Sequence, residues 1–504
     1  MPLLSALLVT LASTLLWSAS CRATPPTIPL SAEPLAASCT ASSSQRSAAS
    51  GTPLLLPASP TAALFQASFD TADGSGHFDL YPFSVDGAQA AAGLPLWDAG
   101  SLLSGGAGQP PRPLPAARQL YTLRSDASGL TIPFLWPALT DAQRALLDMA
   151  PFTSHRQADG LGAQRLAFLR GDRGEEGAPF RRRTSVLGDS VHATPVYVGA
   201  ASAVVEGDGY AAFYARSLRR RAAVYLGAND GMLHAFDAAD GSEIFAYIPA
   251  LLMAALNQLT SPAYVHRAYV DGPASAAEAR LNGAWKTVLV AGLGGGAQGV
   301  FALDVSDPQQ FATGGGALWE FGDADDADIG NVVGLPQIAR FDVDTDGGGA
   351  RYFAVVPGGL NSYAADGHRN AAANGALFLL ALDKARGAPW QLNVNYYRLL
   401  TPLSDAALPN GLGAPALVAG VDGVVRYAYA GDLQGNLWRF DFSGRPPWRV
   451  GPGAGPAPLF VARDAGGVRQ PITQQPRVVY ASGGGYPATS ECAEFYRGTP
   501  TQKP

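Results

Sequence analysis

A thirteen-residue unit that recurs with no gap constrains this chain more than any other feature: YLGANDGMLHAFD (225–237) aligns on YAGDLQGNLWRFD (429–441). Each copy reads as strand, tight Asp/Asn/Gly turn, strand. The glycines permit the positive φ that a two-residue hairpin turn demands, and alternate apolar positions face a neighbouring sheet. Two looser copies lie between them, Val288 to Asp304 and Phe353 to Asp383, the second interrupted by a long Asn/Gly/Ala insertion. Units of four strands with variable outer loops predict an all-β chain of β-propeller architecture with few helices. A two-sheet sandwich is the rival fold, but it supplies no reason for the recurring strand-turn-strand-Phe-Asp pattern.

At 504 residues the chain has room for two to four domains or one large repeat array. Gly (59) and Pro (39) make up about a fifth of it, turn-rich yet below the roughly 25–30% that marks a disordered chain. The formal charge is −6, and Lys286, Lys384 and Lys503 are the only lysines. The longest arginine runs, 181–183 and 219–221, are short and isolated, so the clustered basic face of a nucleic-acid binder is not expected.

Residues 3–17 form an uncharged apolar stretch followed by small residues, which predicts a signal peptide over 1–23, although no basic residue precedes Arg22. A lipid anchor at Cys21 is the alternative use of the same segment. Residues 24–62, rich in Ala, Ser and Pro, read as a linker, and no later segment is long and apolar enough to span a bilayer. Cys39 and Cys492 are the one pair an oxidising compartment could join. Helices are predicted at Thr140–Met149, with Thr140 as cap, and over 250–259.

Long runs then resemble a known family. LGDSVHATPVYVG (187–199), YLGANDGMLHAFDAADGSEIFAYIP (225–249), AYVDG (268–272), WKTVLVAGLGGGAQGVFALDVSDP (285–308), LWEFGD (318–323) and YAGDLQGNLWRFDFSG (429–444) are similar to the C-terminal propeller of the PilY/PilC-type proteins. Upstream, WDAGSLL (97–103), RQLYTL (118–123) and DGLGAQRLAFLRGDRGEE (159–176) fit the same family. The resemblance implies an N-terminal part of the propeller with a helical insertion over 63–185, blades over 186–490 on a seven-blade plan with the C-terminal part incomplete, and a tail over 491–504. It further implies a non-enzymatic type IV pilus biogenesis factor and tip adhesin that promotes pilus extension or counters retraction. Its partners would be pilins, minor pilins and host or surface ligands, and its place the periplasm, outer membrane or pilus surface. The chain departs from the family in lacking the DxSxS motif of a von Willebrand A domain. Where the family carries a calcium loop, residues 419–426 keep only Asp422.

Four constellations carry possible chemistry. Gly294-x-Gly296-x-x-Gly299 matches a dinucleotide fingerprint but leads into a strand, so no helix N-terminus would meet a pyrophosphate. Ser190 with His192 resembles a hydrolase nucleophile without a partner motif, and the six histidines show no metal-ligand spacing. Asp342, Asp344 and Asp346, followed by Gly347, mimic the opening of a Ca²⁺ loop, with Phe353 where an EF-hand needs Glu. That stretch reads either as a solvated acidic turn or as a propeller-type calcium loop. The cluster Asp323, Asp325, Asp326 and Asp328 reads as an exposed acidic loop and a weaker second candidate. The alternative function is a quinone-dependent periplasmic dehydrogenase of the pyrroloquinoline-quinone type. Ala235, Asp237, Asp240 and Gly241 resemble its repeat, though Phe245 stands where Trp is usual.

Overall fold

The computed structural model describes residues 46–48, 54–56, 62–70, 73–86, 89–92, 94–106, 108–126, 128–151, 157–343 and 349–479. The 1–23 segment, the 491–504 tail, Cys39 and Cys492 lie outside them. Among the described residues no helix is long and apolar enough to cross a membrane.

Five sheets of four or more strands follow one another along the chain. Sheet I is built on the hairpin Ala62–Asp70 and Gly76–Asp86. Sheet II runs through Val196–Val198, Ala223–Ala228, Met232–Asp237 and Glu243–Ile248, and is widened by Leu120–Leu123 and Thr131–Pro133. Sheet III comprises Ala274–Leu281, Ala284–Gly292, Gly299–Asp304 and Ala317–Gly322. Sheet IV comprises Gln337–Phe341, Arg351–Pro357, Gly375–Ala381 and Tyr396–Thr401. Sheet V is Ala416–Ala419, Val425–Gly431, Asn436–Asp441 and Arg449–Val450, with Phe460–Val461 also on its third strand. The four copies of the repeat are the second and third strands of sheets II to V.

Period-two alternation divides each interior strand between two neighbours. Val224, Leu226 and Phe236 of sheet II pack on Phe65, Phe78 and Trp97 of sheet I. Ala223, Tyr225 and Ala235 face the other way, onto Leu289, Ala291 and Phe301 of sheet III. Val288 and Val290 of sheet III meet Ala354, Val356, Phe378 and Leu380 of sheet IV. Phe353, Val355, Leu377 and Leu379 then meet Ala428, Ala430, Trp438 and Phe440 of sheet V. Sheets stacked face to face in chain order are the blades of a β-propeller. The described residues supply five of the sheets a seven-blade plan would need.

The repeat glycines serve two purposes. Gly231 (φ 94°) and Gly435 (φ 78°) close the turns, but the loops hold three residues, not the two expected. Ala228 pairs with Met232, and the Asp432 N–H donates to the Asn436 carbonyl at 2.9 Å, so each glycine sits in the left-handed third position of a three-residue loop. The earlier glycine of each unit answers to packing. A Cβ on Gly227 would lie 2.4 Å from the Val270 carbonyl oxygen, one on Gly292 2.6 Å from that of Val332, and one on Gly431 2.2 Å from Ile472 Cγ2. The first two touch the segment that leads into the following sheet, and Gly431 touches the chain beyond sheet V. Pro195, Pro273, Pro336 and Pro415 stand immediately before the first strands of sheets II to V, where no N–H is needed. Pro476 repeats the pattern: Gln475 Nε2 donates to the Pro415 carbonyl at 2.8 Å, as Gln337 Nε2 does at 2.5 Å.

The helix at Asp141–Asp148 forms where expected, with a capping box between Thr140 and Gln143. Residues Ala250–Thr260 fold as a 3-10 helix, and Met253, Leu256 and Leu259 are buried in a row at the three-residue period of that helix. Helices at Gly162–Leu169 and Tyr210–Ser217 were not expected. The stretch read as a linker contributes two strands, Arg46–Ala48 and Leu54–Leu56, both antiparallel to Ala62–Asp70. Replacing Gly227 by Ala is expected to cost about 1–3 kcal/mol through overpacking. Gly444→Ala, where a Cβ meets nothing within 4 Å, should leave the urea midpoint unchanged.

Candidate functional site

The first repeat encloses a buried ion network. His234, 0% exposed, places Nδ1 2.8 Å from Glu243 Oε1 and Nε2 3.1 Å from both carboxylate oxygens of Asp230. Glu243 also receives a fork from Arg118, Nε to Oε2 and Nη2 to Oε1, both at 2.7 Å. Burial alone would push the imidazole pKa down, but the two carboxylates outweigh it and hold His234 up at about 9. Burial likewise opposes ionisation of Glu243, and Arg118 with His234 reverses it, holding the carboxyl at about 2. In the aligned repeat Trp438 occupies the His234 position, and its Nε1–H donates to Asp432 Oδ2 at 2.9 Å. Both rings satisfy an N–H on an acid of their own turn, so His234 packs and orders the turn, as its place in the repeat predicts.

Of the residues expected to hold metal, Asp342 directly follows the strand Gln337–Phe341, whereas Asp344 and Asp346 lie outside the described residues. No group of three or more His, Cys, Asp or Glu able to hold a metal occurs among the described residues. The Asp323–Asp328 stretch is only partly the exposed loop expected, since Asp325 is exposed. Asp326 and Asp328 are buried and share Arg398, at 2.7 and 2.6 Å, and the Tyr396 hydroxyl donates to Asp326 at 2.8 Å. Desolvation pushes Asp325 and Asp328 up from the ordinary carboxylate range. Asp422 accepts from Arg426 at 2.6 Å.

Ser190 Oγ donates to the Ala193 carbonyl at 3.4 Å, and His192 Nδ1 lies 2.7 Å from Asp271 Oδ2, so serine and histidine are not paired with each other. The Asp271 hydrogen bond overcomes burial and raises the His192 pKa. The glycines at 294–299 answer to packing: a Cβ on Gly296 would fall 1.7 Å from the Tyr269 carbonyl oxygen.

A concavity of about 510 Å³ lies at the turn ends of sheets III and IV. Its walls carry Arg267, Gln298, Asp323, Asn331, Asn361 and Asp366. Sequence reading missed it, although the Asn/Gly/Ala insertion that supplies Asn361 and Asp366 was visible. Gln298 Nε2 donates to Asp366 at 2.6 Å and to the Asn361 carbonyl at 3.2 Å, and Asn331 Nδ2 donates to the Gly294 carbonyl at 2.8 Å. Asn361 holds φ at 62°, a left-handed conformation that asparagine tolerates at a cost. With those carboxamide N–H groups engaged internally, the lining offers oxygens and one guanidinium, a polar surface suited to recognition.

Successive face-packed sheets with a polar cleft at their turn ends define a β-propeller. The family described as the PilY1 beta-propeller domain matches residues 187–486, and the chain belongs to that family. The type IV pilus biogenesis factor PilY1 of Pseudomonas aeruginosa (strain UCBPP-PA14) is 35% identical over 448 residues, 82% of this chain and 35% of that protein. A PilY1 homolog of Xylella fastidiosa (strain Temecula1 / ATCC 700964) is 38% identical over 348 residues, 64% of this chain and 22% of its own length. The crystal structure of the P. aeruginosa PilY1 C-terminal domain aligns with a TM-score of 0.44 at 33% identity, covering 56% of each chain. The chain thus spans about a third of the length of the first of these curated relatives, whose name is that of a biogenesis factor.

Glu243→Ala would leave Arg118 buried without its counter-charge, and a loss of about 3–5 kcal/mol in unfolding free energy is expected. The pH profile follows from the shifts. The raised His234 contributes fully below its unfolded value near 6.5, and that contribution is lost as pH rises through about 9. The depressed Glu243 contributes above about 4.5 and is lost as pH falls toward 2. Urea titrations of wild type and His234→Phe across pH 5 to 10 check this, the alkaline limb flattening in the variant.

Proposed function

We propose that this chain is the propeller module of an exported type IV pilus biogenesis factor, acting by binding and assembly and not by catalysis. The observation that carries this reading is the family match over residues 187–486, which spans sheets II to V and the polar cleft. In this reading pilins and minor pilins are the partners. The protein works at the pilus base or tip to promote extension or oppose retraction, and at the tip it engages host or surface ligands as an adhesin. The 1–23 segment directs export and is removed near Arg22, leaving the protein in the periplasm or on the pilus surface.

Deletion of the gene is expected to reduce sheared surface pili and twitching, with piliation restored when the retraction motor is also removed. Full piliation and motility in the deletion strain would overturn the role. Complementation with Asp366→Ala and Asn361→Ala together tests the cleft: the variant should be exported and folded yet recover only part of the piliation.

The 342–347 turn is proposed as a calcium loop in which Asp342, Asp344 and Asp346 would supply carboxylates. A cation bound only to the folded chain would stabilise it by about 2.7 kcal/mol at a hundredfold excess over Kd. Millimolar calcium is therefore expected to raise the melting temperature, with the rise lost in Asp344→Ala and retained in Asp422→Ala. A wild-type melting curve indifferent to calcium would return the loop to a solvated acidic turn.

A further inference from the structure

We propose that the enclosed cleft where sheet I, the helical segment and sheet II converge is an oxyanion site. Its ligand is a single carboxylate- or phosphate-sized group held by Arg181 and Arg182. The cleft has a volume of about 80 Å³ and is walled by residues 73–75, 168–169, 181–189 and 229–230 with Leu259, Tyr264 and His266. A water needs about 10–15 Å³ of such volume, so the cleft has room for a few waters or one small anion.

A count of donors and acceptors sets the sign of the ligand. Arg181 spends only Nε on the protein, donating to the Leu259 carbonyl at 2.7 Å, while its guanidinium lies 4.4 Å over the Tyr264 ring. Its two terminal amino groups have no hydrogen-bond partner, and the residue has no ion-pair partner, among the described residues. Arg182 makes no hydrogen bond or ion pair among them either. Its Nε and Nη2 lie 3.0 Å from where a Cβ of Gly177, just outside the walls, would be. The next residue shows the contrast: Arg183 is neutralised by Glu176 at 2.8 Å.

The acids in the same walls are already satisfied. Asp73 accepts the Ser75 N–H at 2.9 Å and hydroxyl at 2.7 Å, and also bonds the Thr184 side chain. Asp189 accepts from Asn229 Nδ2 at 2.9 Å and pairs with His266 Nε2 at 2.8 Å. Asp230 accepts from the Gly188 N–H at 3.1 Å and pairs with His234. What the cleft leaves unspent is a pair of cationic donor forks, the geometry that carboxylate and phosphate oxygens match. Burial pushes the Arg181 pKa down, the direction an arriving anion would reverse. A ligand here would touch sheet I, the helical segment and sheet II at once, so its binding would stabilise their junction.

The test uses the purified chain, melted in phosphate, sulfate or acetate against chloride at matched ionic strength. A saturable rise in melting temperature over chloride is expected, with the half-maximal concentration raised at least fivefold in Arg182→Gln. Arg181→Lys, which keeps the charge but removes the fork, should weaken binding similarly. If that variant fails to fold, the exposed Arg182→Gln alone decides. A response to phosphate and sulfate but not acetate assigns a tetrahedral anion, and an equal response to acetate assigns a carboxylate such as a side chain or chain end of a partner. A response equal to chloride, or one undiminished in Arg182→Gln, overturns the proposal.

Discussion

A close approach at one glycine in three of the four repeats governs how the sheets of this propeller stack. At Gly227 and Gly292 the hairpin of one sheet meets the backbone of the segment leading to the next, and at Gly431 it meets Ile472, at distances that leave no room for a Cβ. Removing that atom lets adjacent sheets close until Tyr225, Phe301, Phe378 and Trp438 interdigitate from facing sides. The apolar alternation would bury the same residues at any spacing. The glycines set the spacing, and with it the close fit of the interiors.

Around sheet II charge is added to apolar packing. The chain between residues 118 and 185 buries Phe134, Leu139, Leu147, Leu166 and Leu169 in the same core as Tyr225 and Phe245, and buried arginines tie its backbone together. Arg118 forks onto Glu243, Arg165 donates to the Leu147 carbonyl, and Arg170 donates to the carbonyls of Phe134, Pro115, Ala116 and Arg118. Each guanidinium stays charged and spends its donors on groups that would otherwise be buried without partners. A planar fork suits this better than lysine's point charge, which agrees with a chain that keeps only three lysines.

What the sequence revealed and hid follows the range of the forces involved. The hairpins were legible because strand period and turn glycine are local. Loop length was misread by one residue because the pairing of Ala228 with Met232 depends on the ladder around it. The helix at 141–148 declared itself through Thr140 and Gln143, while those at 162–169 and 210–217 have no side-chain cap and left no such signal. Asp326 and Asp328 looked exposed because the arginine that neutralises them lies some seventy residues on, at Arg398. The polar cleft was invisible for the same reason, since Arg267, Gln298, Asn331 and Asp366 meet only once the sheets are stacked.

Polar groups that do not serve the repeat's own turns accordingly collect where the repeat is broken. Within the sheets, identity is dictated by packing on both faces, and even the polar His234 and Trp438 serve their own turns. The departures are the Asn/Gly/Ala insertion of sheet IV and the arginine run beside the helical segment. Each lies in a connection between strands or sheets. A loop there can change without disturbing the glycine contacts, because those contacts involve the second strands of sheets II, III and V and the segments packed against them. That separation lets one stack of sheets carry different binding surfaces, and it places the functional search on the loops and not on the conspicuous repeat.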